Sequence, residues 1–384
     1  MSLQNTFNVL LIGAGEINFG SVEGPWNHTK RLEQKLGSRL RVVGLVDLDQ
    51  TKARAVIDEK KALIKDSYDS TEVFESIASA AEGLKGARLP QLAILGIPPQ
   101  FRGQSSSGRD AELALIKAFP SISLFCEKPV TTGPIERIAE AQSVRDSLGK
   151  HAGKGVVGVG YMLRYLKACA DIKDILRENN LTVMATNARY TMAYEYAVKL
   201  GWWDKSQSQG PIIEQATHFA DLSRFFGGEV DLKSVSARTV EHDTSAGSLG
   251  KKGFDEEKID AANRIPRITA AVWQYESGAV GTLMHSVALH DATYDTEIEI
   301  IADGYRLKLV DPYNAPVLYI RRPGLAGEEV RRYDQDDPFY SEISAMIDAV
   351  ESGSSDGLLS TFDDALRTYE FTWAIRKAGE AVKP

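Results

Sequence analysis

The chain has 384 residues, of which 43% are hydrophobic and 26% are charged, and its formal net charge is −8 at pH 7. This length predicts roughly two or three domains, and the composition is that of a globular protein with a large core. The acidic balance gives no field that would attract nucleic acid or an anionic membrane, so we expect neither as a partner. The two cysteines, Cys126 and Cys169, are too few for a disulfide framework or a cysteine-based zinc site.

The N-terminal segment lacks the features of a secretory leader. No basic region precedes the apolar stretch 9–12, which is too short for the hydrophobic part of a signal peptide. No segment approaches the ~20 apolar residues that a membrane-spanning helix needs. We therefore expect a cytoplasmic protein.

The first half of the sequence alternates short apolar runs with helical patterns. The apolar runs predict strands at 7–12, 40–46, 91–95, 121–126 and 156–161. Apolar residues at helical spacing predict helices at 29–36, 52–64, 110–118 and 134–148. Such alternation of strand and helix predicts a parallel, doubly wound sheet.

A glycine turn follows the first predicted strand. Gly13-Ala14-Gly15 matches the opening of a dinucleotide-binding fingerprint, where the first glycine permits a tight turn and the second lets backbone amides approach a pyrophosphate. The third glycine is missing, because Asn18 stands in its place. The glycine-rich stretch 19–27 is interpreted as an insertion, after which we expect the next helix to begin. The alternative is an ordinary strand-to-helix turn.

An acidic residue follows the second predicted strand. Asp47 can accept hydrogen bonds from the ribose hydroxyls of an adenosine, which favours NAD as the cofactor. Its carboxylate would repel the 2′-phosphate of NADP, although Lys52 and Arg54 nearby keep NADP as the alternative. The alternative is that Asp47 is only a turn residue in Asp47-Leu48-Asp49 and does not contact a cofactor.

A lysine follows the fourth predicted strand. In Glu127-Lys128-Pro129, the proline ends the strand and favours an extended Lys128 backbone. Because lysine is rarely buried without a partner, we expect its ammonium at the carboxyl edge of the sheet, where open α/β sheets bind ligands. A strand end with a solvated lysine is the alternative.

The second half changes character. Alternating patterns predict strands at 182–192, 233–240, 267–276, 280–289, 296–301 and 306–309. With little helix between them, these strands predict an open antiparallel sheet. Two helical tracts close the chain, at 339–350 and 363–378. The polar, glycine-bearing stretch 242–257 predicts a mobile loop.

A second polar cluster lies at 210–221. Glu214, His218 and Asp221 recur at spacings of four and three, so one helix face could carry all three. A carboxylate one turn before a histidine can stabilise the charged imidazole, which makes His218 a candidate proton carrier near neutral pH. The alternative is a helix start with a half-buried histidine. Glu214 and His218 have a spacing that zinc could use, but no third ligand is evident, and we expect no metal.

Together these motifs resemble the Gfo/Idh/MocA oxidoreductases, which include inositol, glucose and related sugar dehydrogenases. The motifs that carry the resemblance are the glycine turn, Asp47, Gly96-Ile97-Pro98, Glu127-Lys128-Pro129, Gly160-Tyr161 with Arg164, and the segment 210–221. The resemblance implies an α/β protein with an NAD(P)-binding Rossmann domain at 1–158. A substrate-binding and oligomerisation domain with a large, mostly antiparallel sheet would follow at 159–384. The outer face of that sheet makes the oligomer contact in relatives, so we expect a homo-oligomer, either a dimer or a tetramer.

The resemblance also implies which residues bind the cofactor. Carried over by position, they are Gly13, Gly15, Glu16, Ile17, Asp47, Gly96, Ile97, Pro98, Glu127 and Lys128. The family histidine that often follows Pro98 is absent here. Arg102 and the polar run 104–107 stand in its region, so this wall of the site departs from the family pattern.

The catalytic residues implied by the resemblance are Lys128, His218 and Glu214. Lys128 would bind the substrate hydroxyl and assist proton transfer, and His218 would be the acid/base. Glu214 falls where many members have aspartate, so its extra methylene moves the carboxylate. Candidate substrate residues are Arg164, Tyr190, Trp203, Gln215 and His218. Core packing explains Trp203 equally well, and a half-buried strand position explains Tyr190.

The implied reaction is hydride transfer between C4 of the nicotinamide of NAD(P) and a secondary alcohol carbon. The substrate would be a sugar, polyol or sugar acid. One alternative is a non-catalytic, dinucleotide-sensing regulator of the same fold, although such a protein need not retain Lys128 and His218. A second alternative is a reductase of the dihydrodiol or imine type.

Overall fold

The computed structural model describes residues 6–22, 24–194, 200–250, 252, 255–291 and 294–381. The strands are Phe7–Ile12 (β1), Leu40–Val46 (β2), Glu72–Phe74 (β3), Leu92–Leu95 (β4), Ser123–Glu127 (β5), Val157–Gly160 (β6), Val183–Ala193 (β7), Ser236–Val240 (β8), Ile268–Gln274 (β9), Val280–Leu289 (β10), Tyr294–Ala302 (β11), Tyr305–Val310 (β12), Val317–Arg321 (β13) and Glu329–Arg332 (β14). The α-helices are Glu16–Phe19 (α1), His28–Leu36 (α2), Gln50–Leu63 (α3), Lys65–Tyr68 (α4), Ile77–Gly83 (α5), Ala111–Ala118 (α6), Ile138–His151 (α7), Lys167–Glu178 (α8), Leu200–Trp203 (α9), Lys205–Ser208 (α10), Pro211–Glu214 (α11), Thr217–Gly227 (α12), Pro338–Ser352 (α13) and Phe362–Glu380 (α14).

The first compact unit comprises Met1–Met162 and Asp337–Leu366. Its six strands form a parallel sheet in the order β3-β2-β1-β4-β5-β6. Every residue of β1 is buried, because helices cover both faces of such a sheet and its strands become continuous apolar runs. The predicted doubly wound parallel sheet is therefore confirmed. Strand β3 escaped prediction because three residues with an exposed Glu72 make no apolar run.

Helix α13 belongs to this unit although it lies far along the chain. Ile343, Met346 and Ile347 are fully buried in the same core cluster as Phe7 and Leu32. The predicted division at 158/159 places α13 in the second domain, whereas the structure places it in the first compact unit. Sequence periodicity identifies a helix and its apolar face, but it does not say which sheet that face covers.

The second compact unit comprises Leu163–Asp336 and Arg367–Pro384. Its eight strands lie in the order β14-β13-β12-β11-β7-β10-β9-β8, and all neighbours are antiparallel except β7 and β10. Burial alternates along β9 and β11, as expected when one face of a sheet is covered. The predicted mostly antiparallel second sheet, and with it the α/β class, is confirmed. No helix within the described residues is both long and apolar enough to cross a bilayer.

The described part of the polar stretch 242–257 is anchored at its end, contrary to the predicted mobile loop. The Glu256 carboxylate is buried and accepts hydrogen bonds from Tyr194 Oη at 2.9 Å and Arg267 Nη2 at 2.8 Å. Lys252 Nζ lies 2.6 Å from the same carboxylate. These partners lower the pKa of Glu256 to about 2, against the effect of burial. The sequence pattern misses this anchor because two of its partners, Tyr194 and Arg267, lie outside the stretch.

Candidate active site

The glycine turn after β1 has a backbone that requires glycine at its first position. Gly13 has φ 96°, which L-residues rarely adopt, and a Cβ there would lie 2.9 Å from the Gly96 carbonyl oxygen. A Cβ at Gly15 would meet only that same oxygen, at 3.9 Å. Gly13 and Gly96 follow β1 and β4, which are neighbours at the point where the strand order reverses. This edge is where such sheets bind dinucleotides.

Asn18 occupies the position where the fingerprint expects its third glycine. The side chain is fully buried, and Nδ2 donates hydrogen bonds to the carbonyl oxygens of Ile12 (3.2 Å) and Gly13 (2.8 Å). A Cβ at Gly96 would lie 2.5 Å from this Nδ2. Asn18 therefore braces the turn, and Gly96 must be glycine to make room for it. The sequence indicated Gly96 as a cofactor residue but not its partner.

The chain after the turn is interrupted as predicted. Glu16 and Ile17 begin the short helix α1, which was not predicted, with Glu16 exposed and Ile17 half-buried. The longer helix α2 begins at His28, where the Asn27 side chain accepts a hydrogen bond from the Lys30 backbone N–H at 2.9 Å. The expectation that the insertion delays this helix is confirmed.

Asp47 lies beside the glycine turn. Its Oδ2 accepts a hydrogen bond from the Ala14 backbone N–H at 2.6 Å, and Oδ1 accepts one from Asp49 N–H at 2.8 Å. The carboxylate therefore fixes the turn and is half-exposed at the end of β2. Together with the open backbone at Gly15, this arrangement leaves room for the predicted dinucleotide, NAD or NADP. The ribose contact itself remains a prediction.

Replacing Asp47 with alanine is expected to weaken NAD binding by about tenfold, because a charge-assisted hydrogen bond is lost. NADP binding should change less, since the repulsion of its 2′-phosphate disappears at the same time. A fluorescence titration with each cofactor measures the two dissociation constants. Asp49→Ala is the matched control, because Asp49 only caps α3 by accepting from Lys52 N–H at 3.0 Å. An unchanged cofactor preference in Asp47→Ala would remove this residue from the cofactor site.

Lys128 lies at the carboxyl end of β5 and is half-buried, as the strand pattern predicted. The Lys128–Pro129 peptide bond is cis. Glu127, predicted to bind the cofactor, is 9% exposed, and its carboxylate lies against His28 Nε2 at 2.6 Å. Ile97 is half-buried and Pro98 is exposed after β4.

Arg102 takes the region of the missing family histidine and is fully buried. Its Nε donates to the Ile97 carbonyl oxygen at 3.3 Å, and the next residue, Gly103, donates its N–H to Glu112 Oε2 at 2.8 Å. Burial raises the pKa of Glu112, and the charge of Arg102 opposes this shift. Arg102 therefore supports the interior of the first unit.

The second unit corrects the prediction that Glu214, His218 and Asp221 share one helix face. Glu214 ends α11 and His218 belongs to α12, with Gln215 and Ala216 between the two helices. The Ala216 N–H donates to the Pro211 carbonyl oxygen at 2.8 Å, five residues back, so the regular four-residue helical bonding is interrupted here. A spacing of four implies a shared face only within a continuous helix.

Asp221 has a different partner, Arg164. The guanidinium donates from Nη2 to Asp221 Oδ1 at 2.6 Å and from Nε to Oδ2 at 2.7 Å. Both side chains are at least nine-tenths buried, and Thr368 Oγ1 also donates to Oδ1, at 3.0 Å. Arg164 was predicted to bind substrate, but this geometry gives it a structural role in the second unit.

Tyr190 lies at the centre of a cluster of rings on β7, β10, β11, α12 and the turn between β12 and β13. Its neighbours, with the ring-centroid distances, are His285 (5.4 Å, stacked), Phe219 (5.5 Å), Tyr294 (5.7 Å) and Tyr313 (6.0 Å). His218 contacts Tyr313 edge to face at 6.1 Å. The ring cluster therefore brings the predicted residues Tyr190 and His218 together with four residues that were not predicted.

His285 is the most informative of the residues that sequence analysis missed. Its Nε2 lies 2.7 Å from Gln215 Oε1, and Gln215 Nε2 lies 2.9 Å from the Met192 sulfur. Burial lowers the pKa of His285 to about 3, so its ring is neutral near pH 7. Its inward position in the alternating pattern of β10 was the available signal.

The two tryptophans have different roles. Trp203 is 1% exposed and packs on Tyr194 with ring centroids 4.6 Å apart, which agrees with the core alternative. Trp202 is half-buried, and its Nε1 donates a hydrogen bond to Glu214 Oε2 at 2.5 Å. Trp202, next to the predicted Trp203, therefore contacts the predicted residue Glu214.

Models of two oxidoreductase families match segments of this chain, one in each compact unit. Residues 7–161 match the oxidoreductase family with an NAD-binding Rossmann fold, and residues 164–305 match an oxidoreductase C-terminal domain. Two Schizosaccharomyces pombe proteins, UNK4.17 and C12C2.04, are 44% and 41% identical to this chain over 97% and 96% of its length. The alignments cover 91% and 96% of those relatives.

Solved structures share the fold at low sequence identity. An oxidoreductase domain protein from Kribbella flavida superposes with a TM-score of 0.74 at 15% identity, covering 99% of this chain and 98% of that one. A UDP-N-acetylglucosamine 3-dehydrogenase from Acidithiobacillus ferrooxidans gives 0.68 at 15% identity, covering 98% of each chain. A 3-ketoreductase from Actinomadura kijaniata, solved with NADP and TDP-benzene, gives 0.69 at 14% identity, also covering 98% of each.

The two matched segments carry the glycine turn, the Glu-Lys-Pro corner and the segment 210–221. The resemblance drawn from these motifs is thereby confirmed. The chain is a member of the Gfo/Idh/MocA family of NAD(P)-binding oxidoreductases.

Proposed function

We propose that this chain is a dehydrogenase or reductase that transfers a hydride between NAD and a secondary alcohol or carbonyl of a sugar, polyol or sugar acid. NADP is the alternative cofactor. The observation that carries the proposal is the ring cluster around Tyr190, with His218 at its edge. Two similar folds, a UDP-N-acetylglucosamine 3-dehydrogenase and a 3-ketoreductase, support a carbohydrate-like substrate.

The ring cluster has the chemistry that a polyol or sugar requires. Aromatic faces suit the apolar C–H faces of a sugar ring, and a few polar groups are enough to orient its hydroxyls. Gln215, fixed by the neutral ring of His285, offers an amide, and Glu214, fixed by Trp202, offers a carboxylate. Within the described residues, Arg164 is committed to Asp221. We therefore do not assign Arg164 to the substrate.

The proton and charge changes of the reaction need two further groups. Bound nicotinamide supplies the hydride chemistry. Lys128 would stabilise the negative charge that develops on the substrate oxygen, since a fixed ammonium lowers the energy of an alkoxide-like transition state. His218 would accept the hydroxyl proton during oxidation and return it during reduction.

Replacing His218 with asparagine is expected to flatten the pH dependence of kcat/KM near neutrality, because an ordinary histidine titrates in this range. Steady-state rates measured between pH 5.5 and 9 test the assignment. His285→Asn is the comparison variant. With a pKa of about 3, His285 cannot titrate there, so the inflection should keep its position even if the rate falls. An unaltered profile in His218→Asn would dismiss it as the acid/base.

The direct test is a substrate panel. Sugars, inositols and sugar acids are screened for a change in absorbance at the reduced-nicotinamide band, with NAD and NADP separately. Turnover of one class supports the proposal. NAD binding without turnover of any compound, including dihydrodiols and imines, would favour the dinucleotide-sensing alternative.

We further propose a cytoplasmic location and a homo-oligomer, a dimer or tetramer, that uses the outer face of the second sheet. Four apolar side chains on β7, β9 and β10 are between 41% and 54% exposed, and they are Met184, Val272, Val280 and Met284. Apolar groups gathered on one sheet face favour contact with another protein surface. Size-exclusion chromatography with light scattering measures the oligomeric state, and a monomer would contradict this part of the proposal.

A further inference from the structure

A buried cluster in the first unit joins three segments that are distant in sequence. His28 opens α2, Glu127 ends β5, and Glu342 lies on α13. Their exposed fractions are 0%, 9% and 1%, and one nitrogen or oxygen atom from each lies within 4.8 Å of the others. Charged and polar groups are rarely buried together unless they have a common role.

His28 and Glu127 make the direct contact of this cluster. His28 Nε2 lies 2.6 Å from Glu127 Oε1, and because a carboxylate only accepts, the proton lies on Nε2. The second oxygen, Oε2, accepts a hydrogen bond from the Lys128 backbone N–H at 3.3 Å. The Glu127 carboxylate therefore links the His28 ring to the main chain of Lys128.

The surroundings leave this carboxylate little freedom. A Cβ at Gly160 would lie 3.1 Å from both Glu127 carboxylate oxygens, so β6 packs directly against it. The His28 ring is held edge to face by Phe125 and Phe339, with centroids 5.3 and 6.4 Å away. The orientation of Glu127 is thus fixed by packing against β6 on one side and by the His28 side-chain donor on the other.

Glu342 completes the cluster as a neutral acid. Among the described residues, neither of its carboxyl oxygens has a hydrogen-bond partner, and an ionised carboxylate in that position would lose its hydration without compensation. Burial and the charge of Glu127 raise its pKa well above the ordinary 4.5; Asp337 adds to this shift and Arg31 opposes it. One negative charge therefore remains in the cluster, on Glu127, where His28 stabilises it.

We propose that His28 is a positioning residue for Lys128 and acts through the Glu127 carboxylate, an inference that rests on the proposed function of Lys128. Without the Nε2–H donor, a buried carboxylate would lose its side-chain partner and rearrange. The Lys128 main chain would move with it. Displacements of about 1 Å at a catalytic group can cost about 100-fold in rate.

The test compares His28→Leu, which removes the donor, with His28→Gln, whose amide nitrogen can reach the position of Nε2. We expect His28→Leu to lower kcat by about 10- to 100-fold, with KM and the NAD dissociation constant within about threefold of wild type. His28→Gln should recover most of the lost turnover. Equal rates in the two variants, whether normal or impaired, would overturn the proposal.

Hydrogen–deuterium exchange gives a readout that does not depend on turnover. Exchange in a peptide covering 127–133 should become faster in His28→Leu and stay near wild type in His28→Gln. If wild-type protein turns over no substrate but shows this exchange pattern, the proposed function fails while the link from His28 to the Lys128 main chain holds. Unchanged exchange in His28→Leu would overturn the link.

Glu342→Gln tests whether Glu342 is protonated in the folded protein, because glutamine matches the shape of the neutral acid and does not ionise. The folded protein holds the Glu342 proton to a higher pH than the unfolded chain does, so wild-type stability falls as pH rises above about 4.5. Urea unfolding at several pH values should show a smaller fall in the variant, and exchange in 127–133 should be unchanged. A fall in stability with pH that is as large in this variant as in wild type, or one equivalent of a divalent metal in the purified wild-type protein, would contradict a neutral Glu342 and overturn the proposal.

Discussion

Replacing Lys128 with alanine is expected to lower kcat by about two orders of magnitude, while NAD binding stays within about threefold of wild type. The ammonium is proposed to act when charge develops on the substrate oxygen, so its loss raises the barrier more than it weakens binding. The half-buried position at the end of β5 limits how far another group could replace it. Stopped-flow or steady-state kinetics, together with a fluorescence titration of NAD, separate the two effects.

The matched control for this change is Lys150→Ala. Lys150 is exposed on α7, so the variant removes the same charge from the first unit without touching the proposed site. Its turnover should equal that of wild type. Near-normal turnover in Lys128→Ala would remove this residue from the reaction, and with it the main support for a dehydrogenase over a dinucleotide sensor.

Replacing Asp221 with alanine is expected to destabilise the second unit by about 3–5 kcal/mol, because the buried Arg164 guanidinium would lose its counter-charge. Asp221 is 1% exposed, and Thr368 would lose its acceptor at the same time. Urea unfolding followed by tryptophan fluorescence measures the change. Asp295→Ala, which breaks the exposed Arg189–Asp295 pair, should cost less than about 1 kcal/mol.

A double variant distinguishes a structural ion pair from a substrate-binding arginine. Arg164→Met combined with Asp221→Leu removes both charges, and apolar residues of similar volume often replace a buried pair at little cost. We expect it to recover most of the stability lost in Asp221→Ala. Unfolding of Asp221→Ala at the wild-type urea concentration would contradict the structural role and return Arg164 to the list of substrate residues.

Local sequence signals were enough for the parts of this protein that depend on neighbouring residues. The continuous apolar run of β1 and the alternation of β9 follow from burial on two faces or on one, and each was visible in the sequence. The glycine requirement at Gly13 follows from its backbone angle. Strands β13 and β14 were missed, because strands of five and four residues carry little periodic signal, and β14 at the sheet edge has no buried residue.

The chemical environment of the site residues depended on contacts between distant segments. The predicted face shared by Glu214, His218 and Asp221 assumed one continuous helix, and the break at Gln215 divides it. Arg164 and Asp221 are 57 positions apart, and their pairing is specified by packing of the second unit. No spacing rule connects residues at such distances.

The sequence by itself predicted the two sheets and the glycine turn, because strand and helix periodicity and glycine geometry act over a few residues. It also indicated Lys128 and His218, the lysine and histidine that we propose as catalytic residues. The tertiary structure alone decided what those side chains contact. It brought Asn18 against Gly96, and it brought His28 and Glu342 to the Glu127 carboxylate next to Lys128. Burial then set the protonation of Glu342 and His285, since the energy of a charge depends on groups that only folding brings near.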